Sequence, residues 1–203
     1  MENEDKDSRR VKIILLGESG VGTTCIINRY LNNEFISESS STLGSYSSKK
    51  EIIKNNNKLL LNIWDTTGQE KYHSITNLFI QGTDIVILVY SIDSKSSFNN
   101  LNFWYESVKE KLKDKQYILA IIGNKSDLTE NEEVSEEEGK KYAKEKNAIF
   151  KLVSARVDAK GINTLFDTIL IEFINNILIN RIDTESTIIS KQKKTIKKVV
   201  VSI

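Results

Sequence analysis

The chain contains no proline, one cysteine, one histidine and one methionine in 203 residues. Without proline, its turns must be read from glycine, asparagine and serine. A lone cysteine, Cys25, excludes an intrachain disulfide framework and fits a reducing compartment. Placed on a core-facing helix, it is expected to act as a small buried apolar side chain. The single histidine, His73, has no cluster of metal partners around it in sequence and is read as a surface residue. Charge of either sign is not in excess: 29 Lys and Arg face 28 Asp and Glu, and a net charge of +1 gives no global field for nucleic acid. No long hydrophobic run exists either. The most apolar stretch, 162–179, carries Asp167 and Glu172, and is too short and too charged to cross a bilayer. The start, Met1-Glu2-Asn3-Glu4-Asp5-Lys6-Asp7, lacks the apolar centre of a signal peptide, and Glu2 excludes myristoylation.

What is present is an ordinary soluble composition, 39% apolar and 28% charged. The length suits one domain with a tail. Apolar runs predict strands at 11–16, 48–55, 58–64, 84–91, 117–123 and 148–153. Asn55-Asn56-Asn57 supplies a hairpin turn between the second and third strands. Helices are predicted at 24–33, 97–112, 136–146 and 162–179, the third opened by a capping box of Ser135 and Glu138. The runs at 84–91 and 117–123 scarcely alternate, which suits central parallel strands covered on both faces. Alternating strands and helices predict a doubly wound α/β domain with a mostly parallel six-stranded sheet flanked by helices.

Four motifs fall at the ends of predicted strands. Gly17-Glu18-Ser19-Gly20-Val21-Gly22-Thr23-Thr24 has the spacing of a phosphate-binding loop, G-x-x-x-x-G-K-S/T, but Thr23 stands where the lysine belongs. Gly17 and Gly22 let successive N–H groups turn inward, and the following helix adds partial positive charge. The loop through Cys25 is the candidate phosphate cradle, and Thr24 offers a hydroxyl for Mg²⁺. In Trp64-Asp65-Thr66-Thr67-Gly68-Gln69-Glu70, Asp65 can hold a magnesium water, Gly68 can offer an N–H to the γ-phosphate, and Gln69 can orient an attacking water. In Asn124-Lys125-Ser126-Asp127, Asp127 can accept both guanine N–H donors, which adenine lacks. Asn124 can tie this turn to the phosphate loop, and the stem of Lys125 can lie over the purine. Ser154-Ala155-Arg156 can present a backbone N–H to guanine O6. All four lie where open α/β sheets bind ligands.

Together these motifs resemble the Ras superfamily of small GTPases, and most of all its Rab branch, over about residues 10–180. Supporting stretches are Ser41-Thr42-Leu43-Gly44, similar to the Rab S-T-I-G, Gln69-Glu70-Lys71-Tyr72, similar to Q-E-R-F, and Tyr90 with Ser97-Phe98-Asn99-Asn100. The resemblance implies a P-loop NTPase-type fold, with GTP or GDP and Mg²⁺ bound at this site. It implies Thr42 as the switch I ligand of Mg²⁺ beside Thr24 and Asp65, and Gln69 as the catalytic residue. It also implies effectors and regulators docking on switch I and switch II of a monomer that acts in vesicle trafficking. Residues 1–9 are expected to be a disordered lead and 181–203 a flexible basic tail.

The departures shape the expectation. Loss of a charged hydrogen bond to phosphate costs about 1.5–3 kcal/mol, or roughly 10- to 150-fold in affinity. Catalysis should suffer more, because charge moves among the phosphate oxygens in the transition state. Thr67 replaces the alanine of D-T-A-G, and its branched side chain adds to the effect. Two classes follow: a GTPase switch with weakened binding and slow hydrolysis, or a pseudo-GTPase serving as a non-cycling interaction module. Of the three aromatics that Rabs expose to partners, Trp64 and Phe79 are kept, and Ser47 takes the third place. Rabs end in prenylated cysteines, whereas here Lys191, Lys193, Lys194, Lys197 and Lys198 precede Val199-Val200-Val201. The expectation is a cytoplasmic protein without a prenylation site, with at most weak peripheral membrane contact.

Overall fold

The computed structural model describes residues 8–35, 45–66 and 78–177. Apolar runs with little alternation become strands buried on both sides, and this sets the architecture. Strand β1 (Arg9–Gly17) leads into helix α1 (Thr23–Asn32), and β2 (Ser45–Lys54) and β3 (Asn57–Thr66) form a hairpin. Then come β4 (Ile85–Ser91), α2 (Lys95–Asn99), α3 (Leu101–Lys111), β5 (Ile118–Asn124), α4 (Glu136–Glu145) and β6 (Ile149–Leu152). A last helix, α5, runs over 159–177. The six strands are ordered β2-β3-β1-β4-β5-β6. Only β2 pairs antiparallel, so the sheet is mostly parallel and doubly wound, as expected. The order reverses at β1, whose neighbours are β3 and β4, and the C-terminal end of β1 opens onto the phosphate-loop sequence.

Every residue of β4 and of β5 is buried. Along β4, Ile85, Ile87 and Val89 face a core that also holds Ile26 of α1 with Phe166 and Ile169 of α5. Val86, Leu88 and Tyr90 face the opposite core, which holds Trp104 and Val108 of α3 and Ala143 of α4. Cys25 is half-buried against the first core rather than fully enclosed. Tyr30 stacks on Phe166 with ring centroids 3.7 Å apart, and burial pushes its hydroxyl up to about 12. Lys50 of β2 donates to the Tyr30 carbonyl at 2.7 Å and lies 3.8 Å from the centroid of its ring. This ties the edge strand to α1 across the sequence between them.

Local chemistry explains most element ends. Asn55 and Asn56 both adopt positive φ, the two-residue turn that matches hairpin twist, while Asn57 already belongs to β3. Ser135 and Glu138 form the capping box reciprocally. Most boundaries shift by one or two residues and β2 starts at Ser45 rather than 48, but two helices differ from expectation for identifiable reasons. The helix predicted at 97–112 is two helices, capped at Ser94, whose hydroxyl accepts from Ser97 N–H, and broken at Asn100. Helix α5 starts at 159 rather than 162 because Asp158 accepts the Gly161 N–H at 2.7 Å, an N-terminal cap ahead of the first apolar residue of the stripe.

Phe166 is fully buried and stacked, so Phe166→Ala should lower unfolding free energy by about 3–5 kcal/mol in a urea titration. A loss below about 1 kcal/mol would show that the α1–α5 core collapses around the gap instead.

Candidate functional site

The site forms where β1, β3 and β5 end together. Gly17 closes β1, and a side chain there would strike the Val89 carbonyl of β4. Gly22 has φ 93°, and a Cβ would lie 2.5 Å from the Asn124 amide nitrogen. The loop between them can therefore carry only glycine at both ends, and it runs directly into the N-terminus of α1. The N–H groups at the start of a helix, with the helix dipole behind them, favour an anion.

Asp65 sits opposite Leu15 in the β1–β3 register, and the neighbouring Thr66 hydroxyl locks that register by donating to the Leu15 carbonyl at 2.8 Å. Thr24 donates its hydroxyl to Asp65 Oδ2 at 2.6 Å. Burial pushes the Asp65 carboxyl above its ordinary range, and the hydroxyls of Thr24 and then Thr23 oppose that shift. Asp65 Oδ1 is buried and has no hydrogen-bond partner among the described residues. A buried carboxylate oxygen left open beside a hydroxyl is a donor set suited to a hard divalent cation such as Mg²⁺. No group of three or more His, Cys, Asp or Glu is placed to hold a metal ion among the described residues, so a metal here would rely on these oxygens and on those of a ligand.

Asn124, at the end of β5, is 2% exposed. Its amide donates to the Val21 carbonyl in the loop at 2.8 Å, and its carbonyl oxygen accepts from Ala155 N–H at 3.2 Å. One side chain thus joins the loop, β5 and the turn after β6. Lys125 adopts φ 60°, a strained conformation for a non-glycine residue. Its ammonium lies 3.6 Å from the Asp93 carboxylate, which also takes the Ser91 hydroxyl. Asp127 accepts from the Ser154 hydroxyl at 2.5 Å, which positions the carboxylate over the same turn. Arg156 is exposed, and its carbonyl and that of Ala155 are both held by Arg29 of α1, at 2.9 and 2.8 Å.

The structure therefore brings together Gly17 to Cys25, Asp65, Asn124, Lys125, Asp127, Ser154, Ala155 and Arg156. Thr42, Thr67, Gly68, Gln69 and His73 lie outside the described residues. Ser47 pairs with Trp64 across β2 and β3, and Trp64 meets Phe79 at a centroid distance of 5.2 Å. Lys12 stands 5.3 Å from the centre of the Trp64 ring. Three supporting residues were not foreseen as such: Arg29, Asp93 and Asn100. Arg29 acts on residues far along the chain, so no local spacing marks it. Asp93 lies just after β4 and carries no motif of its own, and Asn100, though within the Ser97-Phe98-Asn99-Asn100 stretch, has its side-chain partner far along the chain.

A sequence profile of the Ras family matches residues 12–175. The chain is similar to GTP-binding protein ypt3 of Schizosaccharomyces pombe, 38% identical over 181 residues, covering 89% of this chain and 83% of that protein. It is similar to Ras-related protein Rab-11B of Dictyostelium discoideum, 39% identical over 158 residues, covering 78% and 71% respectively. Ras-related protein Rab-17 of Mus musculus is 35% identical over 163 residues, covering 80% and 75%.

The bridge through Asn124 makes a direct prediction. Asn124→Asp replaces a buried donor with a carboxylate oxygen facing the Val21 carbonyl. It should destabilise the ligand-free chain by about 1–3 kcal/mol in urea. An unchanged unfolding midpoint would show that the bridge contributes nothing.

Proposed function

This chain belongs to the Ras family of small GTPases and is of the Rab type, and from that premise we propose that it is a guanine-nucleotide switch of vesicle trafficking with a weakened hold on nucleotide and slow GTP hydrolysis. The observation that carries this reading is the Asn124 bridge, which couples an intact base-reading turn to a phosphate loop in which only the lysine is missing. Three pieces built for one ligand are held in contact, so the site is organised even though Thr23 has replaced its cation.

In this reading the N–H groups from Glu18 to Cys25 cradle the phosphates, with Gly68 joining them. Asp127 selects guanine, Lys125 lies along the purine, and Ser154-Ala155-Arg156 closes over O6. Thr24, Thr42 and Asp65 would hold Mg²⁺, which would supply positive charge to the phosphates. Gln69 orients water for hydrolysis to GDP and phosphate. The missing lysine is felt in binding and more in catalysis, where charge redistributes.

Effectors and regulators would meet switch I and switch II, around Trp64 and Phe79, on a monomer. No helix of the described residues is long and apolar enough to cross a membrane. In this reading, contact with membranes is peripheral. The same Thr23 supports a second reading, in which the chain is a pseudo-GTPase that no longer cycles and works by protein contact alone. Nucleotide content of the purified protein, with calorimetric titration of GDP and GTP in Mg²⁺, separates the two readings. Stoichiometric guanine nucleotide supports the switch, and its absence at millimolar ligand supports the module.

Asp127→Asn should shift preference from guanine towards xanthine nucleotides, because the amide complements the altered edge. Wild-type binding of ATP comparable to GTP would refute the assignment of Asp127. Thr23→Lys should tighten nucleotide binding by roughly 10- to 150-fold, the worth of a charge-assisted hydrogen bond to phosphate, and should raise single-turnover hydrolysis with it. Unchanged affinity in the lysine variant would mean that another cation already serves the phosphates.

A further inference from the structure

Asn100 stands where α2 ends and α3 begins. An asparagine ahead of a helix commonly turns its side chain onto the first free N–H groups of that helix. Asn100 makes no such cap. Its backbone carbonyl takes the amides of Phe103 at 3.1 Å and Trp104 at 3.4 Å, which leaves its side chain available. That side chain reaches back 82 positions and donates to the carboxylate of Glu18. Glu18 is the first residue of the loop after Gly17, and its own carbonyl accepts from Val21 N–H at 3.4 Å. Val21 is in turn the residue held by Asn124. The loop is therefore fastened on two sides, by Asn124 at Val21 and by Asn100 at Glu18.

Glu18 also poses an electrostatic problem. It places a negative charge beside a cradle meant for phosphate, in a loop that has lost its lysine. Like charges at short range in a partly buried site repel appreciably. A donor that engages the carboxylate draws its charge onto a fixed partner and fixes the limb that carries it.

We propose that Asn100 is a positioning residue of the nucleotide site, setting phosphate affinity through Glu18 without touching the ligand. With no lysine to pull the phosphates in, the prearranged backbone carries more of the binding, and so does the residue that holds it. The inference rests on the reading that this loop receives the phosphates of a guanine nucleotide.

The test is calorimetric titration with GDP in Mg²⁺, alongside thermal melting, for wild type, Asn100→Ala, Asn100→Asp, Glu18→Gln, and the pair Glu18→Gln with Asn100→Asp. Asn100→Ala should weaken GDP binding about tenfold, the worth of one charged hydrogen bond. Asn100→Asp should weaken it further, since two carboxylates then face each other. In the pair, the new glutamine amide can donate to the new carboxylate, and most of the lost affinity should return. That rescue by reversed polarity distinguishes positioning from general support of the fold. GDP affinity unchanged in both single variants at Asn100 overturns the inference alone. So does a loss that tracks the melting temperature and is not regained by the pair. A wild-type chain that binds no GDP overturns both this inference and the functional reading.

Discussion

The side chain of Asn124 is the constraint on which the site depends. Its two ends satisfy a carbonyl in the loop after β1 and an N–H in the turn after β6, elements separated by most of the sheet width. A buried amide of this kind must find both partners, because an unpaired one costs more than the bond returns. Asn124 therefore permits only one relative placement of loop and turn. It also explains why Gly22 must be glycine, since the space for a Cβ is already filled by the asparagine nitrogen. The rest of the base side follows from that placement. Arg29 can reach the Ala155 and Arg156 carbonyls only because the turn is drawn towards α1. Asp127 meets Ser154 for the same reason.

The site is asymmetric in its chemistry. On the β5–β6 side the site groups have defined partners: Lys125 pairs with Asp93, Asp127 accepts from the Ser154 hydroxyl, and Asn124 meets the Val21 carbonyl and the Ala155 N–H. On the β1–β3 side the balance is negative. Asp65 is buried, Glu18 lies half-buried at the loop, and the position that would offset them is a threonine whose hydroxyl inclines towards Asp65 instead. The open Asp65 oxygen is a buried polar atom with no hydrogen-bond partner among the described residues, a cost that a native fold tolerates mainly where a ligand or ion completes the set. In the proposed function, a loop of this charge would rely on backbone N–H groups and on Mg²⁺. Its selectivity for the base should survive better than its grip on the phosphates, because the two depend on different halves of the sheet.

Much of this was legible in the sequence, for reasons that differ by residue. The unbroken apolar runs of β4 and β5 declared themselves as central strands because both faces are covered. The two asparagines of the β2–β3 turn and the Ser135–Glu138 box announced themselves because their chemistry is local. The phosphate loop and Asn124 were readable because glycine spacing and a strand-end asparagine carry meaning in a few residues. What escaped is long-range. The break at Asn100 has no proline or glycine to mark it, and the partner of its side chain, Glu18, lies 82 positions earlier. Arg29 resembles any helical arginine until the turn at Ala155 is folded against it. The start of α5 was misjudged because apolar periodicity points to the first buried residue, whereas Asp158 caps three residues sooner.

The two residues that escaped reading and hold the loop or its surroundings, Arg29 and Asn100, share a physical character. Each sits at a helix position where its side chain is not needed by the helix. Arg29 lies in the last turn of α1, where a cation is favourable near free carbonyls, and it also satisfies Asn33 O at 2.8 Å while reaching the far turn. Asn100 lies between two helices, its N–H donating to the Ser96 carbonyl of α2 and its carbonyl accepting from Phe103 and Trp104 of α3. Such positions can be spent on distant contacts at little local cost. They are also where a site can be adjusted after its ligand-touching residues have become fixed. In a phosphate loop that has lost its lysine, that second tier of contacts is the remaining means by which the fold can preorganise the cradle. Affinity in such a site depends on how firmly the neighbouring helices hold the backbone as well as on the groups that face the nucleotide.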